Sequence, residues 1–191
     1  MQNEEWPTAP CAAGTHWFFI PHFKFFILHS AFFILIMLCL CFQLGDDRYA
    51  LDAAQVVEVL PLLELRKIPG APPGVAGLFN YRGRPVPAVD LGELLLGIPA
   101  PERLSTRLIL VNHATESGGT RLLGLIAGQV TRIVRKSAAE FQQPVLLGAA
   151  PPFLGPVLMD ESGGVQLLRP ERLLTNDVRE LIFAGALEAT T

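Results

Sequence analysis

The chain has 191 residues, enough for one domain or for two small ones on a shared core. Half of the residues are hydrophobic, 17% are charged and the net charge is −3, so no basic field invites nucleic acid. Three cysteines, Cys11, Cys39 and Cys41, lack metal-ligand spacing and read as free thiols of a reducing compartment.

Residues 1–36 form an apolar, aromatic-rich amino-terminal extension. The run over residues 25–42 approaches the ~20 residues that a membrane span requires. Glu4 and Glu5 precede it, positive charge is sparse, and no small-residue cleavage site follows, unlike a signal peptide. A misassigned translation start, with Met37 beginning the folded part, and an amino-terminal anchor are the two principal readings. A disordered or partner-bound tail is the third. His16, His22 and His29 share no face and have no acidic companion.

Leu38, Leu40, Phe42 and Leu44 alternate with Cys39, Cys41 and Gln43, which predicts a strand. Gly45-Asp46-Asp47 turns the chain into a second strand over residues 48–52. Residues 53–55 read as a short helical turn, and the β-branched stretch Val56-Val57-Glu58-Val59-Leu60 as a strand stopped by Pro61. Residues 62–68 read as a loop with a short strand, and residues 69–74, rich in proline and glycine, as a linker.

Residues 76–91 predict two strands joined by a tight turn at Arg82-Gly83, where Gly83 supplies backbone freedom. Val86, Ala88 and Asp90 share one face of the second strand, Pro87 and Val89 the other. Pro85 and Pro87 cannot donate to a ladder, so this strand belongs at an edge or barrel rim. A short helix over residues 91–96 is closed by Gly97. Further strands fall at residues 106–112, 121–127 and 130–135, with a break at Gly128-Gln129, and a late pair at residues 153–159 and 165–168. Pro170 opens a short helix, and Asn176 or Asp177 caps a last one over residues 178–187. Eight to ten short strands with close turns predict an all-β fold, a small barrel or a pair of barrels.

No phosphate-binding glycine loop, zinc-protease helix or nucleophile elbow is present, and the carboxylates are not spaced in pairs. His113, at a strand end before a polar loop, reads as a lone exposed histidine. No catalytic, cofactor-binding or metal-binding set emerges, so an enzyme is disfavoured.

The stretch Gly77-Leu-Phe-Asn-Tyr-Arg-Gly-Arg-Pro-Val-Pro-Ala-Val-Asp-Leu91 resembles the distinctive segment of the CheW-like adaptors of bacterial chemosensory arrays: a glycine, an N-x-R-G turn, then a V-P-x-x-D-L strand. Residues 42–52, 121–130, 153–158 and 167–174 resemble other strands and the short helix of that family. The resemblance covers about residues 38–174. It implies two small five-stranded SH3-like barrels sharing an apolar core over residues 37–175, followed by a helical tail over residues 176–191.

The resemblance also implies a non-enzymatic scaffold without cofactor. Its partners would be the cytoplasmic tip of methyl-accepting receptors and the regulatory domain of a CheA-type histidine kinase. Its place would be the cytoplasm, at the inner face of the membrane. Arg82 matches the arginine of the family turn, and Glu58 matches an acid that pairs with it; such an arginine can grip a carboxylate bidentately. Asn80 and Gly83 belong to the same turn. Val57, Val59 and Leu78 would line the apolar part of the surface, or equally belong to the core. Gly128 stands where the family commonly carries aspartate, which puts a second-barrel contact in question. Residues 62–65 and Tyr81 mark a subgroup distinct from flagellar chemotaxis, and the Arg48-Tyr-Ala-Leu-Asp52 opening with Pro61-Leu62-Leu63 resembles adaptors of surface-sensing or biofilm pathways, whose output is a diguanylate cyclase response regulator. The rival readings are a membrane-anchored β-domain and a barrel binding a small ligand or single-stranded nucleic acid. The second rival has Arg107, Arg121, Arg132 and Arg135 but no aromatic residues among them.

Overall fold

Alternation builds the first hairpin. A computed structural model describes residues 36–114, 119–143, 151–160 and 163–188. The readings of residues 1–35, including Cys11, the anchor and three histidines, lie outside the described residues. Strand β1 (Ile36–Leu44) already includes Ile36 and pairs antiparallel with β2 (Asp47–Asp52). Leu40, Phe42 and Leu44 enter the main core, while Cys39 packs on the opposite face with Ala50, Leu158 and Val165. Cys39 is buried and Cys41 half-buried, and the two are not joined in a disulfide. Burial, followed by the neighbouring Cys41, pushes the Cys39 thiol up to about 11, so it is inert at neutral pH.

Strand β3 (Val56–Pro61) pairs with β6 (Arg107–Ala114), and β4 (Val75–Tyr81) with β5 (Arg84–Asp90). Strand β7 (Thr120–Ser137) organises the whole sheet system. Residues 120–127 pair with β6, and residues 124–126 also lie parallel to Ala88, Val89 and Asp90 of β5. From Gly128 to Ser137 the same strand pairs with β1. The sequence had suggested two strands here. The structure has one, bent where Gln129 takes a left-handed conformation (φ 47°), and the ladder passes from one half of the fold to the other.

The first half therefore runs β3-β6-β7-β5-β4. The segment that follows β3 meets the outer strand β4 at one bridge, in which Arg66 and Leu78 exchange two backbone hydrogen bonds of 2.8 Å. This single pair stands where a short strand was expected in residues 62–68. It also explains the motif glycine. A Cβ on Gly77 (φ 142°) would collide with the Arg66 carbonyl, so only glycine lets the seam close. Pro85 and Pro87 face only β4; β7 joins β5 at Ala88, immediately past the last missing donor.

The second half runs from β7 through β1 and β2 to β10 (Gly163–Leu168), β9 (Leu154–Asp160) and the two-residue β8 (Phe141–Gln142). Strands β2 and β10 are parallel, so each half contains one parallel pair. Leu51, Val89, Leu91, Ile109, Val111, Leu123, Leu125 and Leu168 fill the main core. The architecture is all-β with short helices.

Asp90 ends β5 and caps helix α1 (Leu91–Leu96), accepting from the Gly92 and Glu93 amides at 2.8 and 3.1 Å. Its other oxygen accepts from Ala100 N at 2.9 Å. The aspartate of the V-P-x-x-D-L stretch is thus a structural cap whose buried charge is met by three donors. Helix α2 (Asn176–Glu188) starts earlier than expected. Thr175 C=O accepts from Arg179 N at 3.0 Å, which places Asn176 and Asp177 inside the first turn rather than at the cap.

Candidate functional site

Two residues, Arg82 and Gly83, connect β4 to β5, and both have positive φ, 52° and 81°. That is the hairpin geometry whose twist suits the flanking strands. Asn80 fixes it: its side-chain Oδ1 accepts from Gly83 N at 2.8 Å. The sequence AsnTyrArgGly therefore holds a non-glycine residue, Arg82, in a costly conformation and aims its side chain outward. That side chain is 75% exposed.

Glu58 comes from β3, the other outer strand of the same half. Tyr81 Oη donates to Glu58 Oε2 at 2.7 Å, and Arg82 Nη2 donates to the same oxygen at 3.2 Å. The grip on Glu58 is therefore single-pronged and shared with a phenol, not the bidentate fork that the residue types allow. The Arg82 guanidinium also lies 4.9 Å from the centre of the Tyr81 ring, a cation–π contact. The ring in turn packs on the apolar cluster of Phe79, Val86 and Leu108. The Glu58 hydrogen bond holds the Tyr81 phenol above its ordinary range, and Arg82 partly offsets this. Three side chains thus lace the seam between β3 and β4, above the Arg66–Leu78 bridge. An ion pair this exposed contributes only about 0–1 kcal/mol to stability.

The remaining predicted residues separate. Val57 and Val59 are 42% and 40% exposed and alternate with Glu58 along β3, on its outer face. Leu78 is 8% exposed and lies inside the seam, so it belongs to the core and does not line the surface. Tyr81, placed by sequence only as a subgroup marker, is the member of the cluster that residue reading did not assign. Its aromatic ring beside an exposed arginine was the available signal.

His113 also differs from expectation. It is fully buried, in register with Ile109 and Val111 along β6, because the strand continues two residues past the point where the polar loop had suggested an end. A cleft of about 350 Å³ opens where β7 bends, lined by Gln43, Asp46, Leu96, Ile98, Arg103 and Gln129 among others. No histidine, cysteine or carboxylate pair lines it. No group of metal ligands occurs among the described residues. No helix among them is long and apolar enough to cross a membrane.

With the fold and the hairpin tip in view, comparison with known proteins is decisive. A sequence model of the CheW-like domain matches residues 38–178, well over half of the chain. This chain belongs to the CheW-like family. It is 29% identical over 115 residues to the Chemotaxis protein CheW of Treponema pallidum, covering 54% of this chain and 60% of that protein. It is 32% identical over 110 residues to Protein FrzA of Myxococcus xanthus, covering 58% of this chain and 66% of that one. The chain thus spans about two thirds or less of the length of these relatives. Among solved structures, the scaffolding protein TtCheW of Thermoanaerobacter tengcongensis shares the fold, with a TM-score of 0.66, 21% identity, and coverage of 78% of this chain and 94% of that one. The CheW-like match includes every residue of the seam cluster.

Proposed function

We infer that this protein is a non-catalytic coupling adaptor that joins the cytoplasmic tip of methyl-accepting chemoreceptors to the regulatory domain of a CheA-type histidine kinase. The reading rests on family membership and on the physical character of the seam cluster. Arg82 is exposed, held outward by a strained turn, and already paired to a carboxylate that orders it. A side chain arranged in that way has lost its rotamer freedom before a partner arrives, which lowers the cost of docking. Arg82, Glu58 and Tyr81 carry the polar part of the contact, Asn80 and Gly83 hold the turn, and Val57 and Val59 add apolar area on the outer face of β3. No cofactor enters this role. The protein works at the cytoplasmic face of the membrane, held there through its receptor.

The test is a binding titration of the full chain against a receptor-tip fragment and, separately, against the kinase regulatory domain. Arg82→Ala is expected to leave the circular dichroism spectrum unchanged and to weaken binding to at least one partner about tenfold or more. Undiminished binding to both would remove the cluster from the interface.

A further inference from the structure

His113 is the one histidine among the described residues; the fold buries it, and neither ring nitrogen meets a partner at good hydrogen-bond geometry, although the Ala114 main chain bears on the ring. Helix α2 supplies an aromatic part of its cover. The Phe183 ring of α2 meets the imidazole edge-on at 5.9 Å between centroids, and Ile182 and Phe183 are buried. We propose that His113 is a proton-operated latch for α2: taking up a proton releases the carboxy-terminal helix from the sheet.

The charges around the ring decide the direction. From α2, Arg179 bears on the imidazole and opposes a second positive charge. From β7, Arg121 sits opposite His113 in the ladder, with its guanidinium 5.2 Å from the Phe183 ring centre. From the turn at Pro170–Arg172, Glu171 favours the cation, but Gln55 Nε2 donates to its carboxylate at 3.3 Å. From the turn at Ala53–Gln55 no charged side chain is supplied, and Asp52 at its head is engaged with Ala54 N at 2.9 Å. The Ala114 main chain gives weak support to the cation. Burial is the largest influence and Arg179 the next, and both push the imidazole below its ordinary range.

A buried imidazole without a well-placed partner is tolerable while neutral. Once charged, it faces the opposing Arg179 guanidinium, with the Glu171 carboxylate as the charge in its favour. Releasing α2 removes the Phe183 cover and the Arg179 charge together and lets water reach the ring. The proton therefore selects the state in which the helix is undocked. The docked state binds the proton less well than the released state, so docking is complete above the ordinary histidine value near 6.5 and weakens as pH falls below it.

Hydrogen exchange of the full chain, read by mass spectrometry from about pH 7.5 to about pH 5.5 and corrected for intrinsic exchange, tests this. Protection of the α2 amides is expected to fall selectively, by up to tenfold per pH unit below about 6.5, while β6 and β7 stay protected. In His113→Phe the α2 protection is expected to stay flat, and in Arg179→Gln the pH-dependent loss is expected to shrink. An equal loss in His113→Phe, or none in the unaltered chain, would overturn the latch. If His113→Phe does not fold, the ring resonances of the unaltered protein decide. Titration of His113 in step with α2 exchange supports the latch, and titration with α2 still protected refutes it.

Discussion

Two polar side chains stand at strand ends of the same half of this molecule, and the fold treats them in opposite ways. Arg82, at the β4–β5 tip, is solvated and given partners: a carboxylate oxygen, an aromatic face and a pinned turn. His113, near the end of β6, is stripped of water, and neither ring nitrogen meets a partner at good hydrogen-bond geometry. The first arrangement strains one turn residue and holds a charge ready for another molecule. The second is stable only while the group stays neutral. Partnering, not residue type, separates a docking residue from a core residue with a titratable liability.

The largest effect is expected at the His113 end. Phe183→Ala removes the ring that covers the imidazole and is expected to cost about 3 kcal/mol, read as a shifted denaturation midpoint. A near-neutral result would mean that α2 does not seal this part of the core. Next in size is the pH dependence. Below about 6.5 the unaltered chain is expected to lose up to ~1.4 kcal/mol of α2 docking per pH unit, and His113→Phe to lose none. At the hairpin tip the expected stability effects are smaller. Arg82→Ala is expected to change stability by less than about 1 kcal/mol, which contrasts with its effect on partner binding.

The smallest effect is spectroscopic. In a Tyr49→Phe background Tyr81 is the remaining tyrosine, and Glu58→Ala removes the acceptor whose hydrogen bond raises its phenol. The phenol is expected to titrate nearer its ordinary range, followed by ultraviolet absorbance. Arg82→Ala should move it the other way, because the guanidinium lowers it. Failure of either shift would mean that the three side chains do not meet in solution.

What could be read from the residues was local. Alternation in residues 38–44 located β1 and its hairpin, Arg82-Gly83 located the turn, and Pro85 with Pro87 placed half of β5 at an edge. The rest depends on residues far apart in sequence. Tyr81 reaches Glu58 across 23 positions, and the cover of His113 arrives with a helix near the end of the chain. The parallel pairs β5–β7 and β2–β10 join segments separated by other strands, and no periodicity announces them. Gly128-Gln129 looked like a terminator because glycine usually interrupts strands. Here one left-handed residue bends the ladder without ending it. Leu78 was ambiguous for a similar reason: its burial comes from Arg66, which approaches from across the seam.

The most direct test of the adaptor reading is a three-component reconstitution of receptor, this protein and histidine kinase, with kinase autophosphorylation as the readout. Receptor control of the kinase that appears when the unaltered chain is added, and is lost with folded Arg82→Ala, is the predicted result. Control that is independent of the chain, or equal with the substituted one, would contradict it.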